Sequence, residues 1–260
     1  MTMVSAAIIR GPGTNRDDDV ADALRLAGAT PKTVLINDLV ADPTVLDDAQ
    51  MLVVAGGFSF ADALGAGRLL ALELSVGLGD TLQRFVADGR PVIGICNGFQ
   101  ALVRAGLLPG AGLAAALGHN DSGRFECRWV RLAPVSKRCI WTRDLTDDID
   151  CPIAHGEGRF TCDDSTYATL EANDQIALRY VGDNPNGSRN DVAGVTDASG
   201  LVLGLMPHPE NHIVARQHPL FRRGAASGLG LTLFQHGVAF AASASTSHPL
   251  TVHRTSGASA

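Results

Sequence analysis

The sequence predicts an α/β protein with a mostly parallel central sheet flanked by helices and additional antiparallel strands in its second half. Three observations carry this. Short apolar runs closed by glycine alternate with helix-like segments through the first part of the chain, in the order βαβαβαβ. The second part is rich in short strand-like runs separated by Gly- and Asn-bearing loops. Glycine is abundant, 29 of 260 residues, as many strand-to-helix turns require.

The elements follow in order. Residues 4–9 form an apolar run, and Arg10-Gly11-Pro12-Gly13 closes it as a loop. Asn15 is placed to cap a helix through about Ala27, with Asp17, Asp18 and Asp19 in the first turn, where the dipole favours acids. That run of aspartates reads as a solvated helix start rather than a metal site. Residues 34–36 are a second strand. Residues 51–55 are a third, entering Gly56-Gly57-Phe58-Ser59. A helix from about Gly67 to Ala87 is broken or bent near Gly77-Leu78-Gly79, and residues 91–95 form the fourth strand. Later strands are expected at residues 128–133, 140–142, 176–180, 192–196 and 201–205, and a last helix at 230–240. Residues 241–260, rich in Ser, Ala and Thr, read as a disordered tail behind a single domain of residues 1–240.

Composition narrows the function classes. Apolar residues make up 45% and charged residues 18%, enough for a sizeable core. The net charge of −6 argues against nucleic acid or an anionic membrane as partner. Five cysteines, an odd number with no CxxC pair, fit neither a disulfide framework nor a zinc knuckle and point to a reduced cytosolic setting. The N-terminus lacks a basic region ahead of its short apolar run, and no stretch approaches a membrane span. The expectation is a soluble, cytoplasmic protein.

The chemistry centres on residues 91–101, PVIGICNGFQA. An apolar strand, a glycine-flanked Cys96 and a helix behind it make a cysteine version of the nucleophile elbow, Gly94-x-Cys96-x-Gly98. The glycines let backbone pass close by, and the thiol lies at the positive end of the helix dipole. The bland reading is a buried free cysteine packing as a small hydrophobe. A catalytic cysteine needs a base, and the base an orienter. Leu205-Met206-Pro207-His208-Pro209-Glu210 supplies both if the prolines hold it extended, because residues two apart then share a side. The competing readings are a surface loop histidine, or metal ligation by His208, Glu210 and His212. An oxyanion hole is expected from the backbone N–H of Asn97, after the nucleophile, and of Gly57 or its neighbour. Taken alone, Gly56-Gly57 reads as an ordinary turn. Two further loops, Ala154-His155-Gly156-Glu157-Gly158-Arg159-Phe160 and Asn184-Pro185-Asn186-Gly187-Ser188-Arg189-Asn190-Asp191, are polar and glycine-rich. Neither fits a phosphate loop or a dinucleotide fingerprint. The Asn186-Gly187-Ser188 sequon has no use in a cytosolic chain.

These residues form a recognisable set. GICNGFQ around Cys96 and MPHPE around His208 and Glu210 resemble the class I, triad-type glutamine amidotransferases. GGFSFADALGAGR (56–68), AHGEGRF (154–160) and NPNGSRNDVAG (184–194) resemble the glutaminase subunits of phosphoribosylformylglycinamidine synthases, or the corresponding C-terminal domain of the single-chain enzymes. The resemblance covers about residues 4–240, with five motifs in order. It implies a flavodoxin-like class I glutamine amidotransferase fold that binds L-glutamine at the strand ends. It further implies that Cys96 attacks the side-chain amide to form a glutamyl thioester, that His208 moves the protons and that Glu210 orients it. Gln100, one helical turn past Cys96, is a candidate substrate contact. The same resemblance implies no metal and no cofactor in this chain. ATP and Mg are expected on a large synthase subunit that takes up the ammonia, and a small bridging subunit is the other expected partner. Both polar loops are expected to face glutamine or the partner. One departure stands out: Phe60-Ala61-Asp62 occupies the place where family members often carry Tyr-Gly-Asp. The competing functions are a catalytically idle interaction subunit and the glutaminase of another amidotransferase. The intact Cys96, His208 and Glu210 argue against the first, and AHGEGRF and NPNGS against the second. A lone subunit is expected to look weakly active if its oxyanion peptide turns inward only when the synthase docks.

Overall fold

The computed structural model describes residues 3–224 and 228–247. Eleven strands are present among them: β1 (Val4–Arg10), β2 (Ala29–Leu35), β3 (Met51–Val54), β4 (Val92–Ile95), β5 (Ala115–Gly118), β6 (Glu126–Pro134), β7 (Ile149–His155), β8 (Arg159–Cys162), β9 (Ile176–Tyr180), β10 (Val192–Thr196) and β11 (Val202–Leu205). The α-helices are α1 (Asp17–Leu26), α2 (Ile36–Ala41), α3 (Arg68–Leu72), α4 (Gly79–Ala87), α5 (Asn97–Arg104), α6 (Asp164–Ala172) and α7 (Leu231–Ser247).

Nine strands form one sheet in the order β2-β1-β3-β4-β11-β10-β9-β6-β7. From β2 to β11 the neighbours are parallel, and from β11 to β7 they are antiparallel. The 2-1-3-4 order is that of flavodoxin-like folds, whose ligands bind beyond the carboxyl ends of the strands. In β3, β4 and β11 every residue is buried, the signature of parallel strands covered on both faces. Helices α1 and α7 pack together beside β1 and β3, whereas α5 packs on β3, β4 and β11 with α3 next to it. β5 and β8 pair as a separate antiparallel ribbon. No helix of the described residues is long and apolar enough to cross a membrane.

The break in the third helical segment falls where the glycines sit: a wide turn at Glu73–Gly77 separates α3 from α4. Other expectations change. Residues 140–142 form no strand. Cys139, Ile140, Trp141 and Thr142 coil into a turn in which Thr142 and Arg143 N–H donate to the Cys139 carbonyl at 3.1 and 2.9 Å. Trp141 is fully buried, and a Cβ on Gly237 of α7 would fall 2.1 Å from its ring. A short buried apolar run has the same sequence whether it pairs or plugs. The last helix continues to Ser247, past residue 240, and no Gly or Pro interrupts residues 241–247. The expected tail therefore does not start at 241, and residues 248–260 lie outside the described residues. Asn15 caps nothing: α1 has no side-chain cap.

Candidate active site

Cys96 sits between β4 and α5 with φ 49° and ψ −105°, a backbone conformation that costs a non-glycine residue energy and marks functional turns. Its N–H donates to Leu205 O at 2.8 Å, which ties the elbow to β11. The flanking glycines have steric reasons. A Cβ on Gly98 would lie 2.0 Å from Val54 O, and one on Gly94 2.5 Å from Leu102 Cδ1. Only glycine lets α5 press this closely on β3. The sulfur lies 3.9 Å from Ala154 O at the end of β7.

β11 delivers the second half of the site. His208 N–H donates to Pro152 O of β7 at 2.8 Å. The His208 and Glu210 side chains meet as expected, Nδ1 to Oε1 at 2.6 Å. The local geometry differs from the expectation: Pro209–Asn211 is one turn of 3₁₀ helix, not an extended segment. Proline's fixed φ suits both conformations, so the sequence does not choose between them. Gly56 floors the contact, since a Cβ there would lie 3.0 Å from His208 Cε1 and 3.4 Å from Cys96 Cβ. Burial alone lowers the basicity of His208. The Glu210 carboxylate and the Cys96 sulfur facing it outweigh that and raise its pKa to about 10. The ring therefore holds a proton that it can hand on. His212 does not join these residues: its Nδ1 faces Asp150 O, and its ring packs edge-on against Trp129.

A cavity of about 170 Å³ opens in front of Cys96, with His208, Gly57, Asn97, Gln100 and His155 among its walls. Gly57 has φ +92°, and Asn15 lies against it, so that a Cβ would meet Asn15 Oδ1 at 2.0 Å. Asn97 accepts from Ser59 N–H at 3.2 Å and donates to Asp62 at 2.8 Å and to Gln100 Oε1 at 3.0 Å. Gln100 in turn donates to Glu157 O. Its amide is thus engaged at both ends, and it braces the wall of the cavity. Asp62 has its carboxyl pKa raised by burial; the Asn97 hydrogen bond opposes this and the Glu157 charge adds to it. Ala61 has φ 53°, the left-handed region where a glycine would carry no Cβ penalty.

Both polar loops are expected from the sequence to face glutamine or the partner. The structure separates them. Residues 154–157 line the cavity, whereas residues 184–190 stand behind, with Asn186 Nδ2 donating to Gly158 O at 2.8 Å and Ser188 Oγ accepting from Phe160 N–H at 2.9 Å. Asn120, which no motif marked, holds His155 Nδ1 at 3.0 Å. Burial and the neighbouring His208 lower the His155 pKa to about 4. The sign follows: between pH 6.5 and 4 the unfolded chain binds the extra proton, so stability falls on acidification. Between pH 7 and 4 wild type is expected to lose about 3 kcal/mol more than His155→Gln, read as the change in their difference in urea unfolding free energy.

A strained cysteine elbow, facing an imidazole oriented by a buried carboxylate, at the strand ends of a flavodoxin-like sheet, defines a cysteine-dependent amidotransferase site. A family model described as a CobB/CobQ-like glutamine amidotransferase domain matches residues 3–241. The chain is 46% identical to phosphoribosylformylglycinamidine synthase subunit PurQ of Treponema denticola, over 90% of this chain and 97% of the relative. It is 42% identical to the same subunit of Dehalococcoides mccartyi, over 93% and 99%. A chain in the structure of PurLQS from Thermotoga maritima superposes with a TM-score of 0.74 at 33% identity, covering 92% of this chain and 99% of that one. The chain belongs to the PurQ family of glutamine amidotransferases.

Proposed function

We propose that this chain is the glutaminase subunit of a phosphoribosylformylglycinamidine synthase. Glutamine enters the cavity with its side-chain amide toward Cys96. The sulfur attacks the amide carbon while His208 holds the thiol proton, and the oxyanion is held by the N–H groups of Asn97 and Gly57. His208 then protonates the amide nitrogen, the C–N bond breaks, and ammonia leaves a γ-glutamyl thioester on Cys96. Water adds to the thioester with His208 as base, and glutamate departs with the thiol restored. The sum is glutamine plus water to glutamate plus ammonia. The ammonia passes to a large synthase subunit, which uses ATP and Mg to convert formylglycinamide ribonucleotide to formylglycinamidine ribonucleotide in cytoplasmic purine synthesis. A small bridging subunit completes the assembly, and this chain needs no cofactor of its own. Exposed Phe58 and Phe125 rings, stacked at 6.3 Å on the rim of the cavity, support a docked partner there.

One observation carries the reading: the strained Cys96 elbow in contact with a buried His208–Glu210 pair at 2.6 Å. Glutamate release from glutamine tests it. Release is expected from wild type, to rise on adding the cognate synthase subunit, and to be absent from Cys96→Ala. No release from wild type with or without the synthase would reduce the chain to an interaction subunit.

A further inference from the structure

The mechanism uses the backbone of Asn97 and leaves its side chain without a task, although that residue is 2% exposed and tied to the most strained stretch of the chain. Gly57, Phe58 and Asp62 line the cavity. Around them Phe58, Phe60, Ala61, Asp62 and Leu64 have φ of 35°, 56°, 53°, 53° and 66°, the left-handed region that costs a residue with a side chain energy. Such a backbone persists only where its surroundings hold it. The loop ahead of α1 supplies one set of anchors: Phe60 N–H donates to Pro12 O at 2.5 Å, and the Ser59 and Thr14 hydroxyls meet at 2.7 Å. Asn97, at the start of α5, supplies another. Its Oδ1 accepts from Ser59 N–H at 3.2 Å, and its Nδ2 donates to Asp62 Oδ1 at 2.8 Å and to Gln100 Oε1 at 3.0 Å. Gln100 is oriented in turn, because its Nε2 donates to Glu157 O. The Asn97 amide therefore cannot turn over: its oxygen is needed by a buried N–H and its nitrogen by two oxygens.

We infer that the Asn97 side chain is the positioning residue of the oxyanion hole: it locks residues 57–62 against α5, so that the N–H groups of Gly57 and Asn97 converge on one oxygen. The inference rests on the glutaminase reading and adds the group that holds two donors from separate segments in register. The backbone strain gives the device its direction. Once the grip on Ser59 and Asp62 is lost, the left-handed residues have lower-energy conformations to relax into, and Gly57 moves with them. The Asn97 N–H stays where it is, because a side-chain change leaves the Cys96 turn its own hydrogen bond to Leu205 O. The loss falls on the donor from the other segment, and the side chain itself makes and breaks no bond.

The test separates oxyanion stabilisation from the reactivity of the thiol. Cleavage of glutamine passes through a tetrahedral oxyanion. Alkylation of Cys96 by iodoacetamide displaces iodide at a saturated carbon and develops none. Glutamate release and alkylation at Cys96, read by peptide mass spectrometry, are measured on the chain with its cognate synthase. The proteins are wild type, Asn97→Leu, Asn97→Asp and Asn97→Asp/Asp62→Asn. Asn97→Leu is expected to lose about 100-fold in kcat for glutamine, with KM and the alkylation rate each within about threefold of wild type. Asn97→Asp sets two carboxylates against each other and is expected to lose about as much. The exchanged pair in Asn97→Asp/Asp62→Asn restores donor to acceptor and keeps an acceptor for the Ser59 N–H, so kcat is expected to recover about tenfold over Asn97→Asp. If the leucine variant does not fold, the two aspartate variants carry the comparison. Turnover and alkylation that fall together, an unchanged kcat in Asn97→Leu, or no recovery in the exchanged pair would overturn this inference alone. A wild type that is alkylated at Cys96 yet releases no glutamate would overturn the glutaminase reading and this inference with it.

Discussion

His208→Ala is expected to lower glutamine turnover by about 10⁴-fold or more and to destabilise the fold at the same time. The kinetic loss follows from the two proton transfers assigned to one imidazole, and triad members act as a unit whose loss costs on that scale. The stability loss has a separate cause. Glu210 is 1% exposed, its Oε1 is paired with His208 and its Oε2 has no partner among the described residues. Removing the imidazole strands a buried carboxylate, at a cost of about 3 kcal/mol or more. The two effects separate in a double variant. In His208→Ala/Glu210→Gln the stranded charge is gone, so stability recovers by about 1–3 kcal/mol while turnover stays low. Urea unfolding beside single-turnover glutamate release reads both. A His208→Ala protein of wild-type stability would show that losing the imidazole leaves no uncompensated charge on Glu210.

The second large effect belongs to Gly98. In a helix interior Gly→Ala ordinarily stabilises by about 1 kcal/mol. At Gly98 the sign is expected to reverse. The new Cβ would lie 2.0 Å from Val54 O and 2.7 Å from Val54 C, and these are backbone atoms of a buried central strand that cannot swing aside. Either α5 lifts from β3 or the Cys96 turn unwinds. Gly98→Ala is expected to lose about 3 kcal/mol or more of unfolding free energy, and most of its turnover with it. Gly79, at the start of α4, is the control: a Cβ there has nothing within 4 Å, so Gly79→Ala is expected to be neutral or mildly stabilising. If both alanines behave alike, packing against Val54 O does not explain the elbow glycine.

Much of the fold was legible because the central strands are locally self-consistent. MLVV, VIGI and VLGL are apolar throughout, bounded by turn residues, and buried throughout. The elements that escaped notice have local signals pointing the wrong way. β7 contains Pro152, which argues against a strand, yet β7 is the last strand of the sheet, where a missing donor is tolerated. Trp141 and its neighbours look like a strand and serve as a plug under α7. In the site, the pairing of His208 with Glu210 was readable from their spacing. The 3₁₀ turn that produces it was not, because proline permits both backbones. Asn120 was invisible, since nothing in its own neighbourhood announces a partner 35 residues away.

Local sequence rules were enough to specify the class of sheet, the glycine-flanked Cys96 turn, and the His208–Glu210 pairing. These depend on short-range rules: the period of apolar residues, the steric freedom of glycine and the rigidity of proline. Long-range packing set which loop lines the cavity and which stands behind it, and that both ends of the Gln100 amide are held by neighbours. Those are properties of contacts between distant segments. A side chain's tautomer, charge and exposure depend on what is packed around it rather than on what precedes it in the chain.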